Sequence, residues 1–121
     1  MTNKILVAED DRRWQENVEV ALRRHCGDVE LTVVATREEA LAAIANIDGI
    51  KVVVTDLRMP DIGDGEAVAI AAQQKGIKVI VLSGTLTDLS EAVRDNCLAV
   101  LKKSQYDGET LGKTVNQGLN P

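Results

Sequence analysis

Aromatic side chains are almost missing from this chain. Among 121 residues there is no Phe, one Trp (Trp14) and one Tyr (Tyr106), so any core must be aliphatic. Cysteine is scarce too: Cys26 and Cys97 stand far apart, match no metal-ligand spacing and read as idle or buried thiols. The lone histidine, His25, lies beside Cys26, but two ligands without two more make only a helix end. Lys and Arg number 14 against 19 Asp and Glu, a net charge of −5. Phosphate contacts need clustered basic residues, so no direct nucleic-acid interface is expected. No apolar run nears the roughly 18 residues of a membrane span, and Met1-Thr2-Asn3-Lys4 before a short strand is no signal peptide. No membrane association is expected, and the cytoplasm is the default location. There is no linker, internal repeat or low-complexity segment, and the length suits one domain, residues 1–121.

What the chain does have is organised around Lys51 to Glu66, KVVVTDLRMPDIGDGE. The run Val52 to Thr55 has no polar alternation and suits a strand buried on both faces, as in a parallel sheet. It leads into Asp56, after which Pro60, Gly63 and Gly65 turn the chain. Asp56 is thus expected at the carboxyl edge of the sheet, where open α/β folds place their ligands.

Other segments repeat the pattern of strand, then helix. Lys4 to Ala8 is a first strand, ending in Glu9, Asp10 and Asp11. Trp14, Val18, Ala21, Leu22 and His25 share one face of a helix that closes at Gly27. Asp11 reads as that helix's N-terminal cap. Leu31 to Ala35 is a second strand, and Thr36-Arg37-Glu38-Glu39 is a capping box opening a helix with Ala40, Leu41, Ile44 and Ile47 inward. Glu66 to Lys75 is a helix with Val68, Ile70, Ala71 and Ala72 toward the sheet. Ile77 to Leu82 is a fourth strand delivering Ser83 and Gly84. Leu89, Ala92 and Val93 mark a helix capped by Thr85 or Thr87. Leu98 to Leu101 leads into Lys102 and Lys103. Leu111, Val115 and Leu119 outline a last helix, weakened by Gly112 and Gly118 at roughly 1 kcal/mol each. Five strands alternating with five helices predict a doubly wound α/β domain.

In such a sheet the residues just past each strand gather on one edge: Glu9, Asp10, Asp56, Ser83 and a lysine. Two like charges 4 Å apart cost about 4 kcal/mol at an effective dielectric of 20, so three acids need counter-charges. One divalent cation and one lysine restore neutrality. Mg²⁺ fits, because it takes oxygen ligands, keeps waters and pairs carboxylates with phosphate. Carboxylates, Mg²⁺, a hydroxyl and a lysine together suggest phosphoryl chemistry.

Four stretches carry a family likeness: ILVAEDD (Ile5 to Asp11), TDLRMPDIGDG (Thr55 to Gly65), VIVLSG (Val79 to Gly84) and NCLAVLKK (Asn96 to Lys103). In this order and spacing the chain resembles the receiver domain of two-component response regulators. The resemblance implies a flavodoxin-like (βα)5 sandwich with a five-stranded parallel sheet in the order 2-1-3-4-5, an order for which the family is itself the standard example. It implies that Asp56 accepts a phosphoryl group from a sensor histidine kinase or histidine phosphotransfer protein. Asp10 would bind Mg²⁺ directly and Glu9 through water, with Asp56 and the Arg58 backbone carbonyl completing the protein's share. Ser83 would turn its hydroxyl to the phosphoryl group, beside the small Gly84. Lys103 would pair with Asp56. Lys102 competes for that role, and neighbours on a strand point to opposite faces, so one alone can serve. Setting Val100 and Leu101 on the family's aromatic and apolar positions puts the lysine at 103.

The chain departs from the family pattern at four places. Val100 stands where Tyr or Phe is usual, and Ser104 replaces the Pro after the lysine. One extra residue lies between Asp56 and Asp64-Gly65, and the stretch from Ser83 to Lys103 is about two residues short. The implied role is a phosphorylation-activated switch, not an enzyme acting on other molecules. A phosphatase of the haloacid-dehalogenase type wants an acid at position 58, where this chain has Arg. A flavin carrier wants a Ser/Thr/Gly-rich phosphate loop after the first strand, where this chain has acids. The rival left standing is a phosphate-independent docking or dimerisation module. Cognate kinase, downstream protein target, a homodimer through the last two helices, and stand-alone or excised status all stay open.

Overall fold

The computed structural model describes residues 2–120. Five strands, β1 (Asn3–Ala8), β2 (Val29–Val34), β3 (Ile50–Thr55), β4 (Lys78–Ser83) and β5 (Ala99–Lys102), alternate with five helices. These are α1 (Arg12–His25), α2 (Arg37–Asn46), α3 (Asp64–Gln74), α4 (Glu91–Asp95) and α5 (Gly108–Leu119). All strands pair in parallel, in the order β2-β1-β3-β4-β5. The doubly wound architecture is as expected from the sequence pattern, and the strand order is the one the family resemblance implied.

The aliphatic strands feed two cores because successive side chains alternate between faces. Leu6, Val53, Val79 and Val81 meet α2, α3 and α4 on one side. Ile5, Val7, Val52, Val54, Ile80 and Leu82 meet α1 and α5 on the other. Gly112 and Gly118 serve this second side. A Cβ on Gly112 would collide with the His25 side chain, and one on Gly118 would lie 2.8 Å from Val52 Cγ2. They give α5 its close seat on α1 and the sheet, a packing gain the propensity argument did not see. His25 and Cys26 belong to this seam: Asn116 Nδ2 donates to the His25 carbonyl at 2.9 Å and Cys26 Sγ to the Gly112 carbonyl at 3.5 Å.

Several boundaries differ from the sequence reading, each for a local reason. Strand β2 stops at Val34, because the Ala35 N–H is taken by Glu39 Oε1 at 3.1 Å. The capping box is formed, with Thr36 Oγ1 accepting the Glu39 N–H at 3.1 Å. Helix α3 starts at Asp64, whose carboxylate accepts the Asp61 N–H at 3.1 Å. Its inward face carries Gly65, Val68, Ala69 and Ala72, while Ile70 is 38% exposed. Ala67 to Ala72 is apolar throughout, so periodicity did not fix the phase. Helix α4 is only five residues long and is capped by Ser90, whose Oγ accepts the Val93 N–H at 3.4 Å. Thr85 and Thr87, the expected caps, hydrogen-bond each other at 3.0 Å in the preceding loop. Strand β5 is displaced by one residue, to Ala99–Lys102.

Candidate functional site

Backbone pairing continues past the strand ends and delivers the acids. The Glu9 N–H donates to the Val34 carbonyl at 3.0 Å, and the Asp56 N–H to the Ala8 carbonyl at 2.9 Å. Glu9 is 3% exposed, Asp56 8%, and Asp10 is open to solvent. One carboxylate oxygen from each of Glu9, Asp10 and Asp56 lies within 4.8 Å of the other two. Asp11 stands apart: its Oδ1 caps α1 by accepting the Arg13 N–H at 2.9 Å and the Trp14 N–H at 3.4 Å.

Lys103 reaches into this cluster from just beyond β5. Its Nζ lies 2.9 Å from Asp56 Oδ2 and 2.5 Å from Glu9 Oε1. Lys102 is exposed and pairs in register with Ser83, so the two lysines take opposite sides of the strand. The other Asp56 oxygen, Oδ1, accepts the Leu57 N–H at 2.7 Å, which fixes the carboxylate's orientation. Thr55 pairs with Val81, so Asp56 and the buried Ser83 emerge at the same edge of adjacent strands. The Arg58 side chain is not free in solvent: it crosses to Asp88, with Nε 2.6 Å from Oδ2.

The charges within the cluster do not balance. Burial pushes the Glu9 carboxyl up to about 7, with a smaller upward push from Asp56, against Lys103 and the Asp11 N–H, which pull it down. Burial works to lower the Lys103 ammonium, but the two carboxylates outweigh it and hold the group above its ordinary value. Three carboxylates and one ammonium leave a formal −2, which a divalent cation would neutralise. The donor set is oxygen only, with two of the three carboxylates buried, and it fits Mg²⁺.

Glu9 makes the metal-free protein's stability depend on pH. Its carboxyl binds a proton more tightly folded than unfolded, so stability falls as pH rises from about 4.5 to about 7 and levels off above. Urea denaturation in chelator across that window should show this slope, and Glu9→Gln should remove Glu9's share. Identical pH profiles for the two proteins would refute it.

The sequence did not reveal how the lysine is walled in. Trp14 and Tyr106 meet edge to face, with centroids 5.1 Å apart at 88°. Lys103 Nζ lies 5.0 Å from the Trp14 ring centroid, and the Tyr106 hydroxyl donates to the Asn17 carbonyl at 3.1 Å. The available hint was position: Trp14 is one helical turn past Asp10, and Tyr106 three residues past Lys103.

The sequence profile of the family described as "Response regulator receiver domain" matches residues 5–116. A search of curated proteins found none that matches. Among solved structures, a receiver domain protein from Methanospirillum hungatei JF-1 is similar at a TM-score of 0.80 and 22% identity, over 99% of this chain and 95% of that one. The N-terminal domain of a response regulator/sensory box/GGDEF protein from Carboxydothermus hydrogenoformans gives 0.81 and 22%, over 97% and 94%. A receiver domain protein from Clostridium thermocellum gives 0.78 and 25%, over 98% and 94%. The structural likeness carries the fold, and the profile, spanning all four sequence stretches and every acid of the cluster, carries the family. By that match, the chain belongs to the response regulator receiver domains.

Proposed function

We propose that this domain is a phosphorylation-dependent signalling switch in which Asp56 is the phosphoacceptor. The observation that carries this reading is the Asp56 carboxylate, held at one oxygen by the Leu57 N–H and at the other by Lys103, with Glu9 and Asp10 oxygens within 4.8 Å. An Asp56 oxygen attacks the phosphorus of a phosphohistidine on a sensor histidine kinase or histidine phosphotransfer protein. The N–P bond breaks, and its electron pair stays with the imidazole, which takes a proton from solvent. Lys103 balances charge on the phosphoryl group, and the Ser83 hydroxyl donates to one of its oxygens. Gly84 leaves the group room. Glu9, Asp10, Asp56 and the Arg58 carbonyl are the residues that would hold Mg²⁺, which when bound offsets the charge of the transferring oxygens.

The domain acts on itself alone, taking up the group and slowly losing it to water. Its output is a change of shape read by a downstream protein. Val100, in the usual aromatic position, packs half-buried against the α2–α3–α4 core, so the switch here does without that ring. The reading sets the domain in the cytoplasm; no described helix is long and apolar enough to cross a membrane.

Incubation with Mg²⁺ and a small acyl phosphate tests the proposal. The expected product carries one phosphoryl group on the peptide containing Asp56, and chelation of Mg²⁺ prevents its formation. No uptake from any donor would leave the docking module as the better reading.

A further inference from the structure

Lys103 is held on two sides. Toward the strand ends its Nζ meets Glu9 Oε1 at 2.5 Å and Asp56 Oδ2 at 2.9 Å. From helix α1 the Trp14 ring lies against the same atom, its centroid 5.0 Å away. Trp14 is itself gripped. Its backbone N–H donates to the α1 cap, Asp11 Oδ1, at 3.4 Å, and its ring meets Tyr106 edge to face. Tyr106 follows the short turn Lys103–Gln105, and its N–H donates to the Lys103 carbonyl at 3.2 Å. Its hydroxyl donates to the Asn17 carbonyl at 3.1 Å. Lysine, tyrosine and tryptophan thus close a circuit that joins the end of β5 to the first two turns of α1. The chain has no other Trp, Tyr or Phe.

A lysine ammonium is a point charge on a flexible four-carbon stem. Two carboxylates alone attract it without fixing its place, since Nζ can swing between Glu9, Asp56 and solvent. The face of an indole carries partial negative charge yet competes poorly for N–H donors. Set against the ammonium, it favours the cation where it stands and leaves the donors for oxygen atoms. It also keeps water from that side, and the Lys103 side chain is only 14% exposed. We infer that Trp14, held by Tyr106, is a positioning residue for phosphoryl transfer, its ring fixing the Lys103 ammonium where the incoming group's charge must be balanced. The inference rests on the switch reading and deepens it. Trp14 acts through Lys103 alone: negative charge stays on the phosphoryl oxygens throughout the transfer, and an ammonium already in place need not be gathered from solvent.

Uptake from an acyl phosphate at saturating Mg²⁺, followed by mass, reads the effect. Trp14→Leu keeps an apolar side chain but no ring face and should slow uptake about fivefold, the scale of a partly desolvated cation–π contact. Trp14→Phe restores a ring and should recover most of that loss. Tyr106→Leu leaves the indole present but ungripped and should fall between Trp14→Leu and wild type. In a Lys103→Met background, Trp14→Leu should bring no further slowing. Should Trp14→Leu not fold, Tyr106→Leu in both backgrounds makes the same comparison. Proton NMR checks the contact with no phosphoryl group present: the Lys103 ε-methylene resonance should lie upfield in the wild type and return to the ordinary lysine position in Trp14→Leu. Wild-type uptake in Trp14→Leu, a Phe variant as slow as the Leu one, or equal fractional slowing with Lys103 already replaced would each overturn the inference. So would an unshifted Lys103 resonance in a wild type that takes the label, and the switch reading would then stand without it. A wild type that takes no label overturns the switch reading, and the positioning role with it.

Discussion

Asp56→Asn leaves a folded domain that takes up no phosphoryl group from any donor. The amide keeps the shape of the side chain but cannot act as the attacking oxygen nucleophile. Of the two contacts Asp56 makes, from Leu57 N–H and Lys103, the single amide oxygen can keep one. The substitution also removes one of three anionic oxygen donors from the cluster. Ligand charge tunes affinity for hard divalent cations, so Mg²⁺ binding should weaken by about tenfold. Calorimetric Mg²⁺ titration and mass spectrometry after exposure to an acyl phosphate check the two parts separately. Asp11→Asn is the matched control. Asn is as good a helix cap as Asp, and the Asp11 oxygen is committed to α1, so uptake should persist. Phosphoryl uptake surviving in Asp56→Asn would move the acceptor elsewhere.

Gly65→Ala should cost the fold about 3 kcal/mol, the upper end for one methyl group forced into a packed site. A Cβ at this position would overlap the Asp56 carbonyl oxygen and sit 2.5 Å from Leu57 Cα and 2.7 Å from the Asp56 carbonyl carbon. All three are backbone atoms, so no side chain can rotate away. The Gly65 N–H donates to the Leu57 carbonyl at 2.9 Å, which presses the first turn of α3 against the backbone of Asp56 and Leu57. Relief requires moving either that turn or Asp56. Urea denaturation gives the loss directly. Gly84→Ala is the counterpart, since a Cβ there meets nothing within 4 Å and should leave stability unchanged. Equal stability of Gly65→Ala and the parent would show that the turn yields more easily than this geometry allows.

What could be read from the sequence was what local chemistry dictates. The runs ending in Ala8, Thr55 and Leu82 became the three central strands, because strands buried on both faces need no alternation. The Thr36–Glu39 capping box and the Asp11 cap formed as expected, since each involves groups within four residues. The cluster of Glu9, Asp10, Asp56 and Lys103 was legible because strand ends in this topology must converge. Long-range side-chain choices were not. Nothing near Arg58 announces Asp88, and nothing in α5 announces that Gly112 accommodates His25. The phase of α3 was hidden by its unbroken apolar run from Ala67 to Ala72, and the cap of α4 by two earlier hydroxyl candidates, Thr85 and Thr87.

The edge-to-face contact of Trp14 with Tyr106 beside Lys103 has an optical consequence. With no Phe and only these two rings, essentially all near-ultraviolet absorbance and emission originates at one end of the sheet. At 5.1 Å, excitation of the phenol passes to the indole, whose colour responds to the ammonium 5.0 Å away. Spectroscopy on this protein therefore sees a single corner, and a fluorescence-detected melt reports the loosening of that corner, whatever the far edge of the sheet is doing.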